Sequence, residues 1–306
     1  MTLKIHAICL ALNEEHFIGE LLKSLYPFCG GISVLSQYDR DWYGKPIKPD
    51  QTAQIVLNFP DPEGKIHFVI RRHRDEAAAR NQEMLSLNDR FSRRIFPFSL
   101  SKKEIEEFYK VPDYFLIVDA DEIYDVDTLG NIIEYLENKR SRGMRVRGYN
   151  YVRTWNRRVP SEVVDFKHFG FIKPGVLFQM NRVVSLKEMS LARLCSRLKL
   201  PNFAPSLYGF IDCPEEVGFF HHACWVGDNE RLKRKVTISG HPQNWDISFA
   251  NWVDSLKSTF IPTNELPRNI REGNWPKHFF EECIETIDSE IPSQAKDKCH
   301  ASSDYP

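Results

Sequence analysis

Two aspartates one residue apart, Asp119 and Asp121, follow directly on the apolar run Tyr114-Phe115-Leu116-Ile117-Val118. A run of this length, rich in β-branched and aromatic residues, has the composition of a strand buried on both faces of a parallel sheet. Open α/β sheets bind ligands at the carboxyl ends of their strands, so both carboxylates are expected in a crevice. Two hard oxygen donors at this spacing can share one divalent cation, and Mg²⁺ or Mn²⁺ in turn suits the oxygens of a diphosphate. The plain alternative is an acidic cap for the following helix. Asp125 or Asp127 already fills that place ahead of the helical pattern Leu129, Ile132, Ile133, Leu136, which leaves Asp119 and Asp121 for other work.

Two further clusters carry charge or metal-binding capacity. His221-His222 lie in an apolar run from Val217 to Trp225, where strand alternation sends neighbouring side chains to opposite faces, so one of the two at most faces the crevice. His222, nearer the expected carboxyl end, is the better placed. Asp228 then caps a basic helix containing Arg231, Lys233, Arg234 and Lys235, which is either a solvated face or a second source of cations for a diphosphate.

The elements that must position these residues can be traced in order. Ile5 to Leu12 is an apolar strand, and Asn13-Glu14-Glu15 opens a helix with Asn13 as its expected N-cap. Pro27 and Gly30-Gly31 stop that helix, and Ile32 to Ser36 makes a second strand, completing a βαβ unit. The stretch from Gln37 to Pro62 has no clear periodicity and is expected as a long loop. Ile66 to Ile70 is a third strand and Asp75 to Leu87 a helix rich in strong formers. An inserted helix and loop are expected over Ser92 to Lys110. Strands are expected within Met144 to Trp155 and over Val176 to Met180, with helices over Leu186 to Leu198 and Asp246 to Leu256.

Composition narrows the class. The chain has 306 residues, 42% hydrophobic and 27% charged, with net charge −1, which is the profile of a globular protein without a global pull toward nucleic acid or anionic lipid. No apolar run approaches the roughly 18 to 20 residues that span a bilayer, and the amino terminus lacks a signal-peptide pattern, so a cytoplasmic location is expected. The seven cysteines form no CxxC pair and are expected as free thiols.

Ala11-Leu12-Asn13-Glu14-Glu15, Glu76-Ala77-Ala78-Ala79-Arg80-Asn81 and Val118-Asp119-Ala120-Asp121-Glu122 come in the order and spacing of the landmarks of glycosyltransferase family 2. Over about the first 140 residues the chain resembles those enzymes, and the resemblance implies a GT-A fold, α/β and Rossmann-like, with a mostly parallel sheet flanked by helices. A single large domain is then expected. Residues 1–155 form its nucleotide-sugar half, 156–245 its acceptor side and 246–306 a C-terminal extension.

The implied activity is transfer of a sugar, of the hexosyl type, from a nucleoside diphosphate sugar to an unidentified acceptor, with Mn²⁺ or Mg²⁺ as cofactor. Asp119 is then expected near the ribose and metal, Asp121 on the metal, and His222, or alternatively His221, as a further metal ligand. Asp39 takes the place of the acidic residue that touches base or ribose in the family, although Ser36-Gln37-Tyr38-Asp39 lacks the usual glycine turn. Arg80 suits the diphosphate on physical grounds as well, since a cation there stabilises charge growing on the leaving group. An inverting transferase also needs a carboxylate base, for which Glu215 and Asp165 are the candidates. Competing readings are a nucleotidyltransferase of related fold, a haloacid dehalogenase-like phosphatase and a non-catalytic nucleotide-sugar-binding protein.

Overall fold

The computed structural model of the chain describes residues 3–42, 44–92, 112–162, 164–180, 182–185, 209–238 and 257–280. The helices expected over Leu186 to Leu198 and Asp246 to Leu256, and almost all of the insert expected over Ser92 to Lys110, lie outside them. Among the described residues the first half reads β1 (Ile5–Leu10), α1 (Ile18–Leu25), β2 (Gly31–Ser36), α2 (Thr52–Leu57), β3 (Ile66–Ile70) and α3 (Glu76–Ser92). It continues through β4 (Tyr114–Asp119), β5 (Glu122–Tyr124), α4 (Val126–Lys139), β6 (Gly143–Arg158), β7 (Lys167–Ile172), β8 (Leu177–Met180) and β9 (Val183–Ser185). The rest comprises β10 (Phe210–Asp212), β11 (Phe219–Val226), α5 (Asn229–Ile238), β12 (Thr259–Phe260) and α6 (Arg268–Arg271).

The fold is α/β, with a main sheet in the order β3-β2-β1-β4-β7-β6-β11-β5, to which β10 and β12 add by pairing with β6, and a separate two-stranded sheet of β8 and β9. β3, β2, β1 and β4 pair in parallel. β7 is antiparallel to both β4 and β6, and β6 is parallel to β11. Two reversals restore direction, so β11 runs the same way as β4 and both deliver their carboxyl ends to one rim. β6 spans 143–158 and so crosses the boundary expected between 155 and 156.

Alternation along β1 and β4 shows why both are apolar throughout. Ala7, Cys9, Leu116 and Val118 pack on one side with Leu21, Leu22, Leu129, Ile132 and Leu136 of α1 and α4. Ile8, Leu10, Phe115 and Ile117 pack on the other with Ala77, Ala79, Met84 and Leu87 of α3. Each large apolar side chain buried this way contributes about 1.5–3 kcal/mol, so the organising strand is anchored from both faces.

Two expectations about local structure change. Asn13 does not cap α1, which starts at Ile18 without a side-chain cap. Asn13 instead takes a left-handed φ of 56° and bonds across to the segment expected as a loop, donating to Lys48 O at 3.1 Å and accepting from Asp50 N at 3.2 Å. That segment contains α2, whose Thr52 amide donates to Asp50 at 2.8 Å. Asp50 and Thr52 also accept from the Glu15 and Glu14 amides at 3.1 and 2.8 Å, so the backbone donors of the turn ahead of α1 are satisfied by the segment that leads into α2. By contrast Asp125 caps α4, accepting from Asp127 N and Thr128 N. The described cysteines Cys9, Cys29, Cys213 and Cys224 are free. No helix among the described residues is long and apolar enough to cross a membrane.

Candidate active site

At the carboxyl end of β4 the chain turns through Ala120 and Asp121 and returns as β5, antiparallel to β11 with His222 opposite Glu122. Ala223 N donates to Asp121 O at 2.8 Å, which fixes Asp121 beside the paired histidines. The register is stiffened by close packing. A Cβ on Gly148 of β6 would lie 2.4 Å from Phe220 and 2.5 Å from Phe166, so only glycine allows those rings to seat there. Phe166 in turn stacks on the His222 imidazole, 4.7 Å between centroids at 7°.

His222 and His221 point to opposite faces. His222 Nδ1 meets Asn150 Oδ1 at 2.6 Å, while His221 Nδ1 meets the Tyr151 hydroxyl at 2.7 Å on the other side. Burial pushes His222 down to about 4 and His221 to about 3, so both imidazoles are neutral at pH 7. A neutral His222 whose Nδ1–H donates to Asn150 presents the Nε2 lone pair, and that atom lies 3.8 Å from Asp121 Oδ1. Two acceptors facing each other at this distance leave room for a cation between them. Cys224 completes the group, the three ligand atoms lying within 4.8 Å of one another. A carboxylate and a neutral imidazole suit a transition metal better than Mg²⁺, which favours oxygen alone, while burial pushes the Cys224 thiol up to about 12 and keeps it protonated.

Asp119 faces other partners. Its carboxylate accepts from Arg80 at 2.7 Å and lies 3.1 Å from Arg182, and the described metal-capable group contains Asp121 without it. The chain turns at Ala120 and Asp121 directly after β4. Arg80 is fully buried and Arg182 6% exposed. Burial alone would raise the Asp119 carboxyl, but the Arg182 and Arg80 guanidinium groups hold it well below the usual range. Arg182 also binds Glu122 at 2.6 Å, and Glu122 accepts from the Asp119 amide at 3.1 Å. Burial nevertheless pushes Glu122 up to about 7, against the pull of Arg182.

The basic helix α5 supplies two more cations. Gly227, at φ 126°, turns the chain off β11, and Asp228 caps the helix by accepting from Arg231 N at 2.8 Å. Arg231 reaches back to Cys224 O, Val226 O and Glu14 at 3.0, 2.7 and 3.3 Å. Lys235 donates to Asp121 Oδ2 at 2.6 Å and also to Glu14. Burial opposes its charge, yet Asp121 and Glu14 overcome this and raise the ammonium well above its ordinary value. Lys233 is exposed and Arg234 lies 3.8 Å from Glu15, so neither joins this centre.

The structure therefore brings together Asp119, Asp121, Arg80 and His222 of the residues expected from sequence. His221 belongs to the opposite face. Asp39 is an exposed residue of the loop after β2, bonded through its backbone to Gln37 and Ile47. Asp165 and Glu215 both flank Arg147, at 3.2 and 3.5 Å, and Glu215 accepts from Tyr149. Arg147 pairs with Phe219 and Asn150 with His222, three residues further along. Both carboxylates thus sit on the Tyr149 face, about 10 Å back along the strand from the metal-capable corner, because odd and even positions of β6 look opposite ways. Glu14, Glu122, Asn150, Arg182 and Cys224 join the centre without being site residues expected from sequence. Of these, Glu14 and Glu122 stand within the stretches Ala11–Glu15 and Val118–Glu122.

No family model matches the chain, and no curated protein matches it. Among solved structures it is similar to S. aureus TarS, at 13% identity over 82% of this chain and 42% of that one, with a TM-score of 0.38. The chain thus spans less than half the length of that protein. S. aureus TarS 1-349 in complex with UDP-GlcNAc matches at 19% identity over 52% and 38% of the two chains, with a TM-score of 0.30. Glucosyl-3-phosphoglycerate synthase from Mycobacterium tuberculosis, in complex with Mn²⁺, UDP-glucose and phosphoglyceric acid, matches at 13% identity over 77% of each chain, with a TM-score of 0.39. At these identities and scores no activity or site residue is carried over from those proteins.

Proposed function

We propose that the chain transfers a hexosyl-type sugar from a nucleoside diphosphate sugar to an acceptor, with Mn²⁺, or less well Mg²⁺, held by Asp121 and His222. The observation that carries this is the pairing of an acceptor corner, Asp121 Oδ1 facing His222 Nε2 at 3.8 Å, with cationic side chains on the same rim. Arg80 and Arg182 meet at Asp119, and Lys235 meets Asp121. A diphosphate has the charge and the oxygen donors to span these two features.

In this proposal Arg80 and Lys235 stabilise the charge that grows on the diphosphate as the bond to the sugar breaks. Asp119 acts by holding Arg80 and Arg182 in place beside the nucleotide. Asp39 is the proposed contact to ribose or base from the loop after β2. A cation held by Asp121 and His222 would supply positive charge beside the phosphate oxygens. Glu215 and Asp165 are not assigned as bases, since they lie around Arg147 on the other face.

The test is thermal unfolding against a panel of nucleoside diphosphate sugars with Mn²⁺ or with chelator, followed by donor hydrolysis. Ligand at 100 times its dissociation constant stabilises by about 2.7 kcal/mol, a readily measured rise in melting temperature. Stabilisation by at least one donor with Mn²⁺, and release of its diphosphate, is expected. A panel with no stabilising member sinks the proposal.

A further inference from the structure

The two oxygens of Asp121 have different neighbours. Oδ1 faces His222 Nε2 at 3.8 Å, whereas Oδ2 accepts from Lys235 Nζ at 2.6 Å. The same ammonium bonds Glu14, so it lies between two carboxylates buried to 3% and 6% exposure. A cation is thus already present at the carboxylate expected to bind the metal, supplied by the chain itself.

Arg80 and Arg182 serve Asp119, Glu76 and Glu122, while Arg231 and Lys235 serve Glu14 and Asp121. At Glu14 and Asp121 two carboxylates thus face two cations, and this corner is balanced without an added ion. A divalent cation alone would enter beside an ammonium with no spare negative charge, while a cation arriving with a diphosphate brings the anion that compensates it. Arg231 is tied down by two backbone carbonyls besides Glu14. Lys235, one turn further along α5, is the partly exposed member, with 22% of its side chain open, and it ends in a point charge on a flexible stem.

We propose that Lys235 is a built-in counter-cation at Asp121 and Glu14, which a divalent ion meets as a competitor unless a diphosphate takes the ammonium over. This rests on the nucleotide-sugar proposal above and adds to it an order of events. The metal and the diphosphate load together, and Lys235 passes from the two carboxylates to the phosphate oxygens.

The experiment is Mn²⁺ titration of the nucleotide-free full chain by calorimetry, for wild type, Lys235→Met, Lys235→Gln and Lys235→Arg. In parallel, pyrophosphate is titrated in excess chelator. Mn²⁺ should bind the Met and Gln variants at least tenfold more tightly than wild type, and the Arg variant no more tightly than wild type. Pyrophosphate should bind the Met and Gln variants at least tenfold more weakly. Should Lys235→Met fail to fold, Lys235→Gln still donates hydrogen bonds to the carboxylates without charge and gives the same comparison. Mn²⁺ binding to the neutral variants that is equal to or weaker than wild type, or undetectable in all, overturns the proposal. The metal arm decides this even if no nucleotide sugar binds, so failure of the transferase proposal is read separately, from the donor panel.

Discussion

The Nδ1 of His222 lies 2.6 Å from Oδ1 of Asn150, and this one bond decides which imidazole nitrogen faces Asp121. Outer partners of a metal-binding imidazole fix its tautomer and orientation, and losing one typically costs 10–100-fold in affinity. Asn150→Ala should therefore weaken Mn²⁺ binding about tenfold or more while leaving the ultraviolet circular dichroism unchanged. Unaltered Mn²⁺ affinity in that variant would mean that Asn150 does not orient His222.

The paired histidines should separate cleanly on substitution. His222→Ala removes a lone pair from the corner and should abolish tight Mn²⁺ binding in the presence of a nucleoside diphosphate. His221→Ala leaves the Tyr151 hydroxyl without its 2.7 Å partner and should cost about 1–3 kcal/mol of stability with metal affinity intact. Calorimetric Mn²⁺ titration and urea unfolding of both variants check this, and equal loss of metal affinity in the two is the contrary result.

Much of this centre was legible in the sequence where the signal was local. The apolar run into Asp119 and Asp121 marked both the strand and its functional end, and the caps Asp125 and Asp228 marked helix starts. What stayed hidden depends on contacts distant in sequence. Arg182 reaches Asp119 and Glu122 from the turn between β8 and β9, 60 or more positions away. Nothing in the residues around Arg182 encodes that return. Asn13 failed as a cap because Lys48 and Asp50 offered its side chain better partners. The base candidates Asp165 and Glu215 rest on residue type alone, and the facing of β6 turns them to Arg147.

Arg182 gives a pH-dependent stability test. Glu122 is raised to about 7 by burial, above its ordinary 4.5, so its contribution to stability is full below 4.5 and is lost as pH rises through 7. Arg182→Leu removes the cation that favours the charged form, so the carboxyl in the variant stays protonated to higher pH. The variant loses the Asp119 pair at every pH in this range, and beyond that constant loss its deficit against wild type should widen as pH rises from about 6 to about 8.5. Urea unfolding across this range measures it, and a difference independent of pH contradicts the role given to Glu122.

Asp121 contributes to stability on the acid side, alongside Asp119. Burial raises its carboxyl, but Lys235 and His222 outweigh this and hold it below 3.8. A depressed carboxyl contributes stability above its unfolded value, and this is lost as pH falls through the folded one. Wild type should therefore lose stability below about pH 4, and Asp121→Asn should show a shallower acid slope and a lower melting temperature at pH 7. Equal acid slopes would place the stabilising charge elsewhere.

The most direct measurement is the affinity of wild type and Asp121→Asn for a nucleoside diphosphate, titrated with saturating Mn²⁺ and in excess chelator. Wild type should bind at least tenfold more tightly with Mn²⁺, and Asp121→Asn should lose that difference while remaining folded, because the substitution removes the metal's charge partner and keeps the shape. Equal affinity of wild type in Mn²⁺ and in chelator, or a full metal effect retained by Asp121→Asn, would contradict a cation bridging Asp121 and the diphosphate.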